Sequence, residues 1–149
     1  ISKDKFEDFK AAISKAFLEK TKEKDMTPSL LVDAEIDIED VQWELFDILD
    51  KFKPFGVGNE QPKYMAQGVT VHQLQPVGKE GKHLRIMVKH KTHKIKKTIG
   101  WGLCNGDTDW GKVLKPGDKI DMVFEIDVNE WNGNRELQLT IVNLRKSEI

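Results

Sequence analysis

The spacing of hydrophobic residues changes along this chain. It has the period of a helix in the N-terminal third and a period of two residues, typical of strands, after Pro62. The first stripe predicts an amphipathic helix over residues 4–24, capped by Ser2. Alternation over residues 30–36 predicts a short strand. Asp37 is the predicted N-cap of a second helix, whose apolar stripe ends just before Pro54. The first stripe consists of Phe6, Phe9, Ile13, Ala16 and Phe17.

After Pro62 the period of two predicts five strands. Asn132-Gly133 separates the last two and favours a type I′ hairpin turn. Residues 105–116 predict a loop with one short helix between the third and fourth strands. This rhythm is typical of an OB-fold barrel, although SH3-like barrels and short sandwiches give similar counts. The strands are marked by Val69 and Val71; Leu84, Ile86 and Val88; Ile99 and Trp101; Ile120, Met122, Phe124, Ile126 and Val128; and Leu137, Leu139 and Ile141.

Composition adds a charge asymmetry to this picture. The net charge of the 149 residues is −1, but residues 1–53 hold 9 Lys/Arg against 14 Asp/Glu, whereas residues 54–149 hold 15 against 11. Within residues 77–97 there are eight basic residues and one acidic residue, Glu80. A polyanion is therefore expected to bind there. The single Cys104 excludes an internal disulfide and fits a reducing cytoplasm, and no apolar run approaches the roughly 20 residues of a membrane helix.

The stretch Pro54–Pro62, PFGVGNEQP, invites interpretation as a phosphate-binding loop. A Walker loop needs Lys-Ser/Thr after its last glycine and lies between a strand and a helix. This stretch lacks the Lys-Ser/Thr, follows a helix and precedes a strand. We therefore interpret it as a connector in which Pro54 stops the helix and Phe55 anchors the chain in the core.

Candidate residues for metal binding and catalysis form no recognisable set. His90 and His93, with His83 and Cys104, lack a second ligand pair at zinc spacing, and a solvated basic hairpin is the favoured interpretation. Cys104 has no His or acid at motif spacing, which favours a buried or half-buried thiol. We therefore predict neither a catalytic residue, nor a metal ligand, nor a cofactor in this chain.

The basic segment carries the functional prediction. OB-folds bind single-stranded nucleic acid across strands two and three, between the loops that join strands one to two and four to five. Cations there neutralise phosphates and aromatic rings stack on bases. The alternative is that the lysines form a soluble edge and that Trp131 packs on the barrel rim. The predicted contacts are Lys79, Lys82, Arg85, Lys89, Lys91, Lys94, Lys96, Lys97, Trp131 and Arg135.

Three motifs in order resemble the C-terminal part of the RecJ family, the single-strand-specific exonucleases of the DHH phosphoesterase superfamily. They are the Pro-Phe-Gly-x-Gly-Asn connector at residues 54–59 with Pro62, the strand Gly-Lys-His-Leu-Arg at residues 81–85, and Trp-Asn-Gly followed by Leu-Gln-Leu within residues 131–139. The front helix is similar to the closing helix of the DHH-associated domain. Glu60 departs from the family, which has Pro there.

The resemblance implies an α+β chain in three parts. Residues 1–27 would be the last helix of the DHH-associated domain, 28–64 a strand-helix connector, and 65–149 a five-stranded OB-fold that binds single-stranded DNA. It also implies a longer protein, a cytoplasmic Mn²⁺- or Mg²⁺-dependent 5′-3′ exonuclease of DNA repair and recombination, because the Asp-His-His and Gly-Gly-His motifs are absent from this chain. The alternative function is a module that docks single-stranded-DNA-binding protein or buttresses the catalytic domains; an independent enzyme is least favoured.

Overall fold

The computed structural model describes residues 2–92 and 94–148, with the side chain of Trp131 left out. The chain divides into two compact units, Ile1–Leu30 and Leu31–Ile149. In the described residues no helix is both long and apolar enough to cross a membrane.

The first unit contains the predicted front helix. A 3-10 turn over Lys3–Lys5 leads into helix α1, Phe6–Thr21, which confirms the helix. Ser2 precedes the turn in extended backbone but makes no side-chain capping hydrogen bond, so the predicted cap is wrong. The apolar stripe of α1 is exposed within this unit: Phe6, Phe9, Ile13, Phe17 and Leu18 are each 46 to 66% accessible.

The second unit begins with shorter elements than the sequence predicts. Strand β1 is only Ala34–Glu35 and pairs in parallel with residues 64–65. The predicted second helix does not begin at Asp37; a 3-10 turn over Ile38–Asp40 comes first, and helix α2 is Trp43–Asp50. The fully buried Val41 between them has extended backbone, so anchoring this side chain in the core interrupts the helix.

Five longer strands make up the rest of the second unit. They are β2 (Tyr64–Val77), β3 (His83–Lys89), β4 (Lys96–Gly100), β5 (Lys119–Trp131) and β6 (Asn134–Lys146). Antiparallel pairs join β2 to β3, β3 to β4, and β5 to β6, while β4 and β6 are parallel. Because β2 also pairs with β5, these pairings return to the first strand and form the five-stranded circuit of an OB-fold.

The core lies inside this circuit, where the alternation of each strand places its apolar residues. Strand β5 alone contributes Ile120, Met122, Phe124 and Ile126, and its predicted pattern is confirmed. One residue predicted to lie on the polar face of β5 is buried instead. Asp121 is 5% exposed and accepts hydrogen bonds from Gly68 N–H and Arg145 Nε. The other members of this buried apolar cluster are Ile38, Val41, Phe46, Tyr64, Ala66, Val69, Val71, Leu84, Ile86, Val88, Leu114, Leu139, Ile141 and Leu144.

The loops follow the predictions closely, with one exception. Asn132 and Gly133 have φ values of 49° and 77°, as a type I′ turn requires, and the predicted short helix is α3, Trp110–Val113. Trp101, which was predicted to lie in the third strand, instead lies in the turn after β4. This difference matters for the functional site, because a turn leaves the indole exposed at the end of the strand.

The connector, residues 54–62, is stabilised by hydrogen bonds to its own backbone and to the end of the preceding helical segment. Gly56 and Asn59 exchange backbone hydrogen bonds of 2.8 and 3.0 Å. The Asn59 amide donates to the carbonyls of Phe52 and Pro54, both at 2.9 Å. Phe55 is half-buried beside α2 and β5. The stretch therefore joins α2 to the barrel as a self-bonded turn, in agreement with its interpretation as a connector.

Candidate nucleic-acid interface

An open groove of about 600 Å³ crosses the outer face of β3, β4 and β6. The loop after β2 and the β5–β6 hairpin form its sides. It holds both charges and apolar surface, together with one exposed indole. Its lining residues are Val77, Gly78, His83, Arg85, Met87, Lys97, Thr98, Ile99, Trp101, Asn129, Glu136, Leu137 and Gln138.

Strand alternation determines which side chains reach this groove. On β3, Leu84, Ile86 and Val88 are fully buried, so the residues between them point outward. Arg85 is thereby exposed on the groove face, and the β3–β4 register brings Met87 opposite Lys97. The groove is therefore the polar face of the same strands whose other face builds the core.

Two cations lie in the groove, and they differ in their partners. Lys97 Nζ is 2.7 Å from Glu136 Oε2, with both side chains about half exposed. Arg85 has no carboxylate within 4 Å among the residues that the structure describes. An exposed guanidinium without a partner can form a bidentate contact with a phosphate group.

An aromatic pair occupies one end of the groove. The rings of Trp101 and His83 are 4.9 Å apart between centroids at an interplanar angle of 77°. Gly102 N–H donates to His83 Nδ1 at 3.0 Å, and Trp101 is 61% exposed. Trp101 is not among the contacts predicted from the sequence, which placed this residue in the third strand. An aromatic residue directly after Gly100, at the end of the basic segment, was the signal available.

The tip of the β3–β4 hairpin, residues 90–92, is held by the acidic turn, residues 37–40. Lys91 Nζ lies 2.7 Å from Asp37 Oδ2, and Glu39 Oε1 accepts from Thr92 N–H at 3.1 Å and from its hydroxyl at 3.3 Å. The hydrogen bond from Lys91 lowers the pKa of Asp37, and the same contact raises the pKa of Lys91. These contacts tie the hairpin tip to the front of the second unit.

Two partly buried side chains, Glu39 and Lys96, support the same attachment. Burial acts to raise the pKa of Glu39, but hydrogen bonds from Thr92 and the nearby His90 outweigh it and lower the pKa. Lys96 Nζ donates to the Val41 carbonyl, and burial of this ammonium lowers its pKa. Lys96 therefore serves the packing of the acidic turn against β4.

The remaining predicted contacts are dispersed. Lys79 is exposed in the loop beside the groove, where Lys82 Nζ lies 2.7 Å from Glu80. The guanidinium of Arg135 lies 5.3 Å from the ring centroid of Trp43, in a cation–π contact away from the groove lining. Lys89 ends β3 and Lys94 is exposed before β4. The side chain of Trp131 lies outside the described part of the chain.

One side-chain cluster has metal-ligand chemistry. Donor atoms of Asp37, Glu39 and His90 all lie within 4.8 Å of one another. The carboxylate of Asp37 already forms a salt bridge with Lys91, and His90 Nδ1 lies 3.3 Å from the other oxygen of the same carboxylate. His93 lies outside the described residues, so the structure does not bear on the zinc arrangement weighed for it. That this chain holds no metal remains a prediction.

Cys104 is half-buried, in agreement with its predicted packing role. Burial raises the pKa of its thiol, and the sulfur contacts the His83 carbonyl at 3.7 Å. A raised thiol pKa disfavours the thiolate that a nucleophile requires.

A five-stranded circuit with a polar groove across its second and third strands defines the OB-fold class of ligand-binding domains. The RecJ OB domain family matches residues 32–143, and the chain belongs to this family. The single-stranded-DNA-specific exonuclease RecJ of Bacillus subtilis (strain 168) is 26% identical over 126 residues, which are 85% of this chain and 15% of the relative.

Solved structures agree on the fold. RecJ from Thermus thermophilus covers the whole chain with a TM-score of 0.73 and 21% identity in its Mn²⁺ complex, and with 0.72 and 20% in its Mg²⁺ complex. The chain spans about a fifth of those structures. An asparaginyl-tRNA synthetase from Entamoeba histolytica also resembles 79% of the chain, at a TM-score of 0.52 and 8% identity. One fold thus serves different functions, and the function has to be argued from the site.

Proposed function

We propose that the groove binds single-stranded DNA without regard to base sequence, as the OB-fold portion of a RecJ-like exonuclease. The observation that carries this proposal is Arg85, an exposed guanidinium with no carboxylate partner in the described residues, at the centre of a groove lined by Lys97 and Trp101. Phosphates would be neutralised by the cations, with release of counterions, and bases would contact the apolar surface.

The fold supports this choice of ligand. The groove lies where OB-folds bind oligonucleotides. It crosses the second and third strands of the barrel, here β3 and β4, between two flanking loops. Its lining mixes the partly exposed apolar side chains of Met87 and Leu137 with cations, as a ligand with both bases and phosphates requires. Of the ten contacts predicted from sequence, the proposal retains Arg85 and Lys97 as groove contacts and Lys79 and Lys82 as contacts beside it.

We propose further that the nuclease centre lies on other parts of a longer protein. The chain spans only 15% of the Bacillus relative, so the groove would guide a single strand toward a centre outside residues 1–149. That protein would be a cytoplasmic 5′-3′ exonuclease of DNA repair and recombination that uses Mn²⁺ or Mg²⁺, the ions in the Thermus complexes. Residues 1–27 would be the last helix of its DHH-associated domain.

The test is a salt titration with residues 1–149. A fluorescent oligothymidylate of about 12 nucleotides, within the range of one OB-fold site, is titrated with protein at several salt concentrations. The logarithm of the association constant should fall linearly with the logarithm of salt, by about 0.7 for each phosphate contacted. Binding that is undetectable at low salt, or independent of salt, would contradict the proposal.

A docking role is the second candidate, and the exposed stripe of α1 favours it. Five large apolar side chains of one helix are exposed within the first unit, which is typical of a surface that packs on another domain. Its partner would be the remainder of the longer protein rather than single-stranded-DNA-binding protein. Replacing Phe9 and Phe17 by Glu in the longer protein should lower its melting temperature, because the stripe would lose its packing on the other domains. An unchanged melting temperature would contradict this role for the stripe.

A further inference from the structure

The exposed indole of Trp101 rests on a specific support. Isolated exposed apolar side chains are common and need no function. Trp101 differs because its neighbour Gly102 is fixed to His83 by the 3.0 Å hydrogen bond from N–H to Nδ1. The imidazole also meets the indole at 77° with the centroids 4.9 Å apart. The ring is therefore constrained in position while most of its surface faces solvent.

The imidazole of His83 packs against Gly78, where the absence of a side chain leaves room for the ring. A Cβ at this position would lie 2.6 Å from His83 Cδ2, closer than real Cβ contacts allow, and Gly78 has a φ of +82° that disfavours side chains. Because Nδ1 accepts a hydrogen bond, the proton of the neutral ring resides on Nε2. Gly78, His83 and Trp101 thus form a supported aromatic unit in the groove lining.

We propose that Trp101 is a stacking subsite for one unpaired nucleobase and that His83 is the positioning residue that holds it. This inference rests on the proposed function, since the strand has to enter the groove for a base to reach the indole. Base–aromatic stacking tolerates every base because each has a π-face. The guanidinium of Arg85 and the ammonium of Lys97 line the same groove, both on one side of Trp101 along β3 and β4, and suit the phosphates of the strand that leads away from that base.

The chemistry of this surface selects a base over an apolar side chain of a protein partner. A peptide-binding pocket is expected to be mainly apolar, whereas this groove combines apolar surface with the polar side chains of Arg85, Lys97, Asn129, Glu136 and Gln138 beside one exposed indole. Alternating flat apolar and anionic groups are the repeating features of a single-stranded nucleic acid. They match an exposed indole at one end of a groove whose strands carry two cations.

The experiment compares two probes on residues 1–149. One is a 5′-labelled oligothymidylate; the other is a deoxyribose-phosphate chain of the same length without bases. Wild-type protein should bind the base-containing probe about tenfold more tightly, within the range expected for stacking one base. Trp101→Ala should lose this preference while its affinity for the abasic chain stays unchanged, and Trp101→Phe should retain most of it.

The outcomes separate the two proposals. Wild-type protein that binds neither probe would contradict the proposed function itself. Equal wild-type binding of both probes, or a Trp101→Ala variant that keeps the preference, would overturn the stacking subsite and leave phosphate binding in place. Melting temperature and near-ultraviolet circular dichroism check that the variants remain folded.

The role of His83 is tested by two isosteric substitutions. In His83→Asn the amide oxygen lies where Nδ1 lies and can accept from Gly102 N–H, whereas the amide of His83→Gln extends one carbon further. His83→Asn should therefore keep most of the base preference and His83→Gln should lose it. If His83 only stabilises the fold, both variants lower the melting temperature and neither changes the preference, and its positioning role is wrong.

Discussion

Arg85 and Lys91 belong to the same basic segment, and the structure gives their charges different surroundings. On the groove face, Arg85 is exposed without a carboxylate partner among the described residues, and Lys97 has only the half-exposed Glu136. At the hairpin tip, Lys91 is paired with Asp37, and Thr92 with Glu39. The groove face of the β3–β4 hairpin is therefore open to a ligand, whereas the cation at its tip already binds another part of the chain.

A count of basic residues in the sequence therefore overestimates how many cations are available to bind phosphate. A cation that already has a carboxylate partner must give up that contact before it binds a phosphate. Lys96 illustrates the limit, since its half-buried ammonium is bonded to the Val41 carbonyl. Position within the fold, rather than charge, separates the residues that are available from those that are not.

The largest expected effect distinguishes the two ends directly. Arg85→Gln and Lys91→Gln each remove one positive charge, but only the first removes an available phosphate contact. Arg85→Gln should weaken oligothymidylate binding about tenfold, ~1.4 kcal/mol, and reduce the salt dependence by about 0.7. Lys91→Gln should change the affinity less than twofold by the same fluorescence titration. Equal losses for both variants would contradict the division of the segment.

A smaller effect on stability is expected next to the hairpin tip, where Lys96 pairs with Val88 in the β3–β4 ladder. Lys96→Met keeps the apolar stem but leaves the Val41 carbonyl without its donor, so the free energy of unfolding should fall by about 1 kcal/mol. The exposed Lys94 provides the control, because Lys94→Met changes no described contact. Urea denaturation measures both. A stable Lys96→Met variant with native affinity would show that this contact adds nothing to the attachment.

The groove has its own acidic residue, and removing its charge should strengthen binding. Glu136→Gln frees Lys97 and removes a negative charge from the groove, so affinity should rise about twofold to threefold, as expected for an exposed ion pair. Glu130→Gln is the matched control, because Glu130 is 3.9 Å from Arg135 and does not line the groove. A decrease in affinity for Glu136→Gln would indicate that Glu136 orients Lys97 for the phosphate.

The smallest effect concerns local motion of the hairpin tip. Glu39→Ala removes the acceptor of Thr92 N–H, whereas Glu39→Gln retains an amide oxygen in its place. Hydrogen exchange at the Thr92 amide should accelerate severalfold in the first variant and much less in the second. Equal protection in both variants would show that another group protects this amide.

Acidification should loosen the same contact in the wild-type chain. The pKa values of Asp37 and Glu39 are lowered in the folded protein, so their stabilising contributions are complete above the ordinary carboxyl range near pH 4. They are lost as the pH falls through the lower folded values. The protection factor of the Thr92 amide, corrected for intrinsic exchange, should decrease over that interval.

Much of the fold could be predicted from periodicity because local burial determines it. The alternation at Ile120, Met122, Phe124 and Ile126 identified β5, and Asn132-Gly133 identified its turn. The start of the second helix at Asp37 was wrong, since burial of Val41 competes with helical backbone there. That competition depends on core contacts from distant strands, which one segment does not contain.

Spacing and composition within short segments were sufficient to predict the OB-fold rhythm, the connector and the basic character of residues 77–97. Which of the basic residues remain available depends on contacts between segments that are far apart in the sequence. Asp37 and Lys91 are 54 positions apart, and Lys97 and Glu136 are 39 apart, so their pairing depends on how the barrel closes. The tertiary structure also placed Trp101 in the groove, where a turn after β4 leaves the indole supported by His83 and exposed.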